Sequence, residues 1–401
     1  MRALHCDPVL RSPSDVAADG SARPTDQQTP APLRPAAAVI LCAPRSPQLR
    51  GDSPATDETT PGAFAVLLVR RNQRGAFGGL HVYPGGAIDP HDRAMAAAET
   101  PSPPLGDTPA MREVDAAAEL AMVKVAAIRE TLEEVGVAFI APSAPSLASA
   151  SAPASSALAS PPPAASRSAV ASFAAALETI RRTVHADGSQ FAVACAAHGV
   201  RPATEALVPW ARWATPANHA GARFDTWFLV ALQAAGVGAV RPDGAELLDA
   251  TWLRPAVALA RAQRGAIKLL PPQWVTLQQL SRLSWAQLRT WHERQQGRDA
   301  VAQQRALPAI QPVKRALPGN PAGVGGEFLL NGDCEHPAPA EGPRGRYRVR
   351  MRWVPAEEPS SEGVADATPT SEPNLKPELK SGYLRIEWDD EHDRSRFPAK
   401  W

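Results

Sequence analysis

Cysteine is scarce in this chain. Its four residues, Cys6, Cys42, Cys195 and Cys334, lie far apart among 401, with no CxxC pair and no metal-finger spacing. That excludes a disulfide scaffold and a structural zinc, and predicts a reducing, cytoplasmic setting. Long apolar runs are also missing: nowhere do about eighteen consecutive apolar residues occur, so no membrane partner is expected. Met1 to Asp15 lacks the apolar stretch of a signal peptide, which predicts an unexported chain. Charge of one sign is absent as well. Lys+Arg number 42 and Asp+Glu 41, for a net charge of +1, so no global field draws nucleic acid and any charge effect is local. The GxxxxGKS phosphate loop, the HExxH zinc helix and the GxSxG nucleophile elbow are not found, nor is a fixed-period repeat.

Proline, by contrast, is abundant at 42 residues, and much of the length reads as linker around one catalytic domain. Residues 1–34 are polar and proline-rich, too poor in apolar groups to offset the entropy of ordering, and read as a disordered tail. A domain is expected over 35–295, interrupted by inserts at about 90–114 and 141–168; the second is almost wholly Ala, Ser and Pro. Residues 296–401 form a C-terminal extension with proline-rich linkers.

Within the domain, Ala36 to Cys42 and Ala63 to Val69 have the character of buried strands, and Phe224 to Leu232 and Leu247 to Leu253 of further strands. Asp115 to Val135 carries Leu120, Val123, Ala127, Ile128, Leu132 and Val135 at helical spacing, with Gly136 placed for a C-cap. Helices are also expected through Phe173 to Val184, Gln190 to His198, Ala256 to Arg264 and Val275 to Leu283. This alternation implies an α/β or α+β domain. In the extension, Arg346, Arg348, Arg350 and Arg352 alternate with apolar residues and can pair with Tyr383 to Trp388 as a hairpin. Four arginines in a row suggest phosphate binding, but a solvated strand face is the commoner explanation and is the one expected.

Chemistry concentrates at Arg129-Glu130-Thr131-Leu132-Glu133-Glu134-Val135-Gly136-Val137. Glu130, Glu133 and Glu134 stand at i, i+3 and i+4, on one helix face. Like charges at this spacing oppose the helix unless a cation or solvent relieves them, and carboxylates with water suit Mg²⁺ or Mn²⁺. Alone, such a helix is an ordinary solvated one. Its company is more specific: Tyr83-Pro84-Gly85-Gly86 follows a strand-like run and supplies a turn where backbone can approach a phosphate.

Together these elements resemble the Nudix box, GX5EX7REUXEEXGU, where U is bulky and apolar, and the chain is identified as similar to the Nudix hydrolases. Arg129, Glu130, Glu133, Glu134, Gly136 and Val137 match, while Thr131 stands at an apolar position. Between Gly86 and Arg129 lie 42 residues where the box has 13, so about 29 are inserted. Counting back from Arg129 puts the first box glutamate at Ala121, with Asp115 and Glu119 as substitutes. A subgroup of the family, resembling the peroxisomal coenzyme A diphosphatase of animals, also carries an insert there. Trp210 to Pro216, Arg223 to Leu229 and Leu269 to Gln273 extend that similarity.

The resemblance implies an α/β/α sandwich with a mixed sheet, a helical insert and a disordered or loosely attached C-terminal extension. It implies Glu130, Glu133 and Glu134 as ligands of Mg²⁺ or Mn²⁺, with Glu130 alternatively the general base and Arg129 orienting a glutamate. The ions would neutralise pyrophosphate oxygens and lower the pKa of a water. Glu246 is a candidate further ligand, although a surface glutamate before a strand is normally just solvated. Gly85 and Gly86, with Arg70, Arg71 and Arg223, are candidate phosphate contacts, each arginine being individually more ordinary than functional. His81 is expected to be a neutral structural histidine. The implied activity is cleavage of a nucleoside-diphosphate derivative, foremost coenzyme A or its thioesters, to 3′,5′-ADP and (acyl)phosphopantetheine. Other substrates open to the same helix are ADP-ribose, dinucleotides and nucleotide sugars. A non-catalytic nucleotide sensor is a reading of another class, and retention of all three glutamates speaks against it. A homodimer, frequent in the family, is left open.

Overall fold

The computed structural model describes residues 30–44, 64–73, 78–99, 109–143, 167–219, 221–233, 240–244, 246–299, 302–303, 307–319, 325–331, 333, 335–337, 348–355 and 382–389. In chain order these form β1 (Leu33–Pro44), β2 (Phe64–Arg71), β3 (His81–Val82), β4 (Gly85–Ala87), α1 (Pro90–Glu99), α2 (Pro109–Val135), β5 (Ile140–Pro142), α3 (Arg167–Ala186), α4 (Phe191–Ala197) and β6 (Val200–Pro202). There follow β7 (Val208–Ala214), β8 (Arg223–Leu232), β9 (Leu247–Leu253), α5 (Pro255–Gln263), α6 (Pro271–Leu280), α7 (Trp285–Gln296), β10 (Val313–Arg315), β11 (Gly326–Leu329), β12 (Arg348–Pro355) and β13 (Gly382–Asp389). Most of the tail expected over 1–34, most of the Ala/Ser/Pro insert and the linker after Pro355 lie outside the described residues. The last of the supposed tail, Leu33 and Arg34, belongs to β1.

A seven-stranded mixed sheet organises the domain, in the order β3-β2-β1-β8-β7 with β4 on β1 and β9 on β2. Its spine is the parallel pair β1 and β8, in register from Leu33↔Arg223 to Cys42↔Leu232. Side chains alternate across a strand, so each spine strand feeds two cores. Val39, Leu41, Leu67, Val69, Trp227 and Leu229 pack against α2 through Val123, Ile128 and Leu132. Ile40, Cys42, Val66, Leu68, Phe228 and Val230 pack on the opposite side against Leu259, Trp274, Val275, Leu277 and Leu288 of α5, α6 and α7. The result is the expected α/β sandwich, with a sheet apolar on both faces because both are covered.

Local chemistry sets the helix ends. Gly136 takes φ +70° after α2, and its N–H bonds the Leu132 carbonyl, an end that a residue with a Cβ would strain. Proline opens α5 and α6, where its missing N–H costs nothing. This starts α6 at Pro271, earlier than the Val275 expected from apolar spacing. Helix α7 opens on a capping box of Ser284 and Gln287. Trp210 and Trp213, in a segment for which no element is expected from apolar spacing, belong to strand β7.

The described part of the C-terminal extension forms a second, antiparallel sheet, β10-β11-β12-β13. It sits on the second core, where Leu330, Val349 and Met351 are buried. Ile310 joins it to the edge of β7, donating to the Arg212 carbonyl and accepting from the Ala214 N–H, each at 2.8 Å. Of the arginine row expected to be a solvated face, Arg346 lies outside the described residues, and the expectation is corrected at Arg348. Arg348 is buried and bonds Asp333 at 2.8 and 3.0 Å, and Arg350 bonds Glu327 at 2.9 Å, so these charges neutralise partners within the sheet. Among the described residues no helix is long and apolar enough to cross a membrane.

Candidate active site

The glycine turn is held from both sides. Tyr83 is buried in the second core, its hydroxyl 2.7 Å from Thr276 Oγ1, and the Pro84 carbonyl accepts the Val39 N–H at 2.8 Å. Gly85 and Gly86 then lie antiparallel to Ala38 and Ala37 of β1. A side chain on Gly85 would strike backbone, and one on Gly86 would displace a carboxylate. Gly85 has φ +144°, and a Cβ there would stand 2.2 Å from the Ala37 carbonyl oxygen. At Gly86 a Cβ would stand 2.5 Å from the Glu130 carboxyl carbon, so backbone and carboxylate meet face to face.

Helix α2 presents its last two turns to this strip. The Gly85 N–H donates to Glu134 Oε2 at 2.7 Å. Arg129 is buried and saturated. Its Nε and Nη2 bond Asp92 Oδ1 and Oδ2, each at 2.8 Å, its Nη1 bonds Glu130 Oε1 at 3.0 Å and reaches Glu133 at 3.4 Å, and its Nη2 reaches the Ala87 carbonyl at 3.3 Å. Thr131, at the apolar box position, is fully buried and satisfies its hydroxyl on the Ala127 carbonyl one turn back.

Burial outweighs the guanidinium in setting the carboxylates. Desolvation pushes Glu130 up to about 7, against the opposing charge of Arg129. It raises Glu133 by the same balance, and Glu134 well above the usual carboxylate range, the Gly85 N–H offsetting only part. Three crowded, partly desolvated carboxylates on one face form a hard oxygen donor set that a divalent cation would relieve, and the residues fit such an ion. Asp89, His91 and Asp92 also converge, with one potential ligand atom from each within 4.8 Å of the others. That trio is the poorer site, because both Asp92 oxygens are already taken by Arg129, and one of them also by the Asp89 N–H. The turn at Gly188 closes this side: a Cβ there would lie 3.3 Å from Glu133 Oε1 and 3.4 Å from His91 Nε2.

Asp92 is the residue that sequence reasoning missed. Counting back from Arg129 led to Ala121, Asp115 and Glu119, and the structure brings none of them here: Ala121 packs in the first core, Asp115 is exposed, and Glu119 lies 3.3 Å from Arg212. Counting forward from Gly86 with five residues between, as in the box, reaches Asp92, at the box's first acidic position and one carbon shorter than glutamate. The insertion therefore lies after Asp92.

The other candidates divide. Glu130, Glu133, Glu134, Gly85 and Gly86 line one cleft of 990 Å³, and Glu246 stands exposed at its rim, 3.8 Å from Arg71. Arg71 lines the cleft, and Arg70, its neighbour on the strand, does not. Arg223 does not line the cleft: it is buried, and its guanidinium donates to the carbonyls of Ala31, Thr215 and Pro216. His81 lies outside the cleft wall, its Nδ1 accepting the Lys268 N–H, and burial lowers it to about 4, so the ring is neutral.

The family model that matches the chain is the NUDT19 Nudix domain, over residues 94–280. The acyl-coenzyme A diphosphatase NUDT19 of Gallus gallus is 30% identical across 276 aligned positions, 63% of this chain and 68% of that protein. Its Homo sapiens counterpart is 29% identical across 307 positions, 70% of this chain and 76% of that protein. Among solved structures, a Nudix hydrolase from Alicyclobacillus acidocaldarius is 22% identical with a TM-score of 0.45, covering 65% of this chain and 96% of that one.

Proposed function

The chain belongs to the Nudix hydrolase family, and we propose that it is a divalent-metal-dependent diphosphatase that cleaves coenzyme A and acyl-coenzyme A to 3′,5′-ADP and the corresponding phosphopantetheine. The observation carrying the hydrolytic reading is the packing of Glu130 and Glu134 against the Gly85-Gly86 strip, with Glu133 one turn along the same helix face and Glu130 and Glu133 braced through Arg129 by Asp92. The substrate reading is supported by the similarity to the acyl-coenzyme A diphosphatases of Gallus gallus and Homo sapiens. The Cys42 thiol, buried and outside any disulfide, supports a reducing setting, which we read as cytoplasmic.

Glu130, Glu133 and Glu134 would hold Mg²⁺ or Mn²⁺, which when bound supplies charge neutralisation for the pyrophosphate and a water of lowered pKa. Gly85 and Gly86, without side chains, let the pyrophosphate lie against the backbone. Arg129 orients Glu130 and Glu133 and remains bonded to Asp92, acting as a positioning residue. As the alternative to holding the ion, Glu130 can serve as general base, taking a proton on Oε2, the oxygen not bonded to Arg129. Arg71 and Glu246 stand at the mouth of the cleft, where Arg71 can steady a phosphate oxygen.

The test is turnover of coenzyme A, acetyl-coenzyme A, ADP-ribose and NADH with Mg²⁺ and then Mn²⁺, with products identified by mass. The expected result is 3′,5′-ADP and a phosphopantetheine from the coenzyme A species. Preferential turnover of ADP-ribose or NADH would overturn the substrate, and no turnover of any of the four would overturn the enzyme.

A further inference from the structure

The cleft extends from the glutamates onto the second face of the main sheet, where the C-terminal sheet covers it. Its floor there is low, because Ala36, Ala38 and Thr226 offer small side chains. On one wall Arg34 of β1 is the register partner of Phe224 of β8. On the other, Lys314 of β10 is the register partner of Phe328 of β11. Directly paired residues share a face, so each wall offers a cation beside an aromatic ring, and all four residues line the cleft.

Lys314 is built into place. Gly326 takes φ +145°, and a Cβ on it would lie 3.1 Å from Lys314 Cε, so the lysine stem rests on glycine backbone. Asn218 donates to the Lys314 carbonyl at 2.8 Å and ties the strand to the loop before β8. Among the described residues no carboxylate pairs with Lys314 or Arg34. His219 also lines this end, and burial followed by the charges of Lys314 and Arg223 holds its imidazole below the ordinary range, a sign of local positive potential.

From this juxtaposition we infer that the C-terminal sheet completes a subsite for a phosphorylated nucleoside, with Phe224 and Phe328 flanking a flat ring and Lys314, aided by Arg34, binding a phosphate monoester on its sugar. Arg34 stands three residues along β1 from Ala37, the partner of Gly86, or about 10 Å at strand rise. Residues three apart on a strand face opposite sides of the sheet, so what joins the two ends is the cleft itself, which Arg34, Gly85 and Gly86 all line. The subsite rests on the coenzyme A reading and deepens it, because a phosphate monoester on the ribose separates coenzyme A from ADP-ribose and NADH. A lysine serves as a point charge for such a group.

The experiment compares kcat/KM for coenzyme A and for dephospho-coenzyme A, which lacks only the ribose phosphate, in wild type, Lys314→Gln and Lys314→Arg. Loss of a charge-assisted bond predicts that the preference for coenzyme A falls about tenfold or more in Lys314→Gln and is largely kept in Lys314→Arg. An unchanged preference in Lys314→Gln, or none in wild type, overturns the subsite. Calorimetric binding of 3′,5′-ADP against 5′-AMP separates this from the enzymatic reading. If no coenzyme A is hydrolysed yet 3′,5′-ADP binds more tightly and only Lys314→Gln erases the difference, the subsite stands and the activity falls. If coenzyme A is hydrolysed while the two nucleotides bind equally to wild type, the activity stands and the subsite falls.

Discussion

Asp92 and Arg129 form a bidentate ion pair, both bonds 2.8 Å, although they stand 37 positions apart on either side of an insertion. Arg129 in turn touches Glu130 and Glu133. A carboxylate on α1 therefore sets the position of two glutamates on α2, and much of what can be tested follows from that chain of contacts.

Breaking the brace should damage both fold and activity. Asp92→Asn removes the bidentate charge partner of the buried Arg129 guanidinium but leaves Glu130 and Glu133 beside it, so the loss should stay below the about 3–5 kcal/mol of a buried pair broken outright on one side. Urea denaturation should report that loss, and turnover should fall about 100-fold as Glu130 and Glu133 lose their alignment. A variant of wild-type stability and rate would mean that Asp92 is incidental.

Glu133→Gln and Glu134→Gln remove formal charge from the proposed cation site with little change in shape. Both should weaken Mn²⁺ binding measured by calorimetry and lower kcat by roughly 100-fold or more. Chelation with EDTA should abolish turnover in wild type, and added Mg²⁺ or Mn²⁺ should restore it. Full activity in chelator would refute metal dependence.

Gly86→Ala tests the close approach of backbone and carboxylate. The added methyl would stand 2.5 Å from the Glu130 carboxyl carbon, and the side chain must move away. Because Glu130 sits at the cleft, the cost should appear in turnover, with the thermal midpoint lowered only modestly. A fully active variant would show that Glu130 has room to spare.

Acid should unfold the domain partly through His292. This ring is buried with its Nε2 3.1 Å from the Ala206 carbonyl, and burial lowers it from 6.5 to about 4. The unfolded chain therefore binds a proton between these values that the folded chain does not. The contribution is fully present above pH 6.5 and is lost as the pH falls toward 4, reaching about 3 kcal/mol. Denaturation at pH 7 and pH 4.5 should show a smaller acid penalty in His292→Asn than in wild type. Equal penalties would place the acid sensitivity elsewhere.

Much was legible in the sequence because it is local. Helical spacing from Leu120 to Val135 places Glu130, Glu133 and Glu134 on one face without reference to the rest of the chain, and Gly136 marks where that helix ends. Apolar runs at Ala36 to Cys42 and Phe224 to Leu232 announce buried strands, since a sheet covered on both faces needs them. Tertiary structure decided what depends on distant partners. A motif split by an insertion cannot say on which side a missing residue lies, and only the fold returned Asp92 rather than Ala121 to Arg129. Adjacent arginines on a strand look alike until a cleft lines up with one face, which took Arg71 and left Arg70. Arg223 and Arg348 carry charge in the sequence, but their buried partners turn that charge inward. The carboxylate-bearing helix and its glycine counterpart could be read from the chain alone, because periodicity and backbone sterics act over a few residues. The brace behind that helix and the wall across its cleft were decided by packing, which joins residues that no local rule connects.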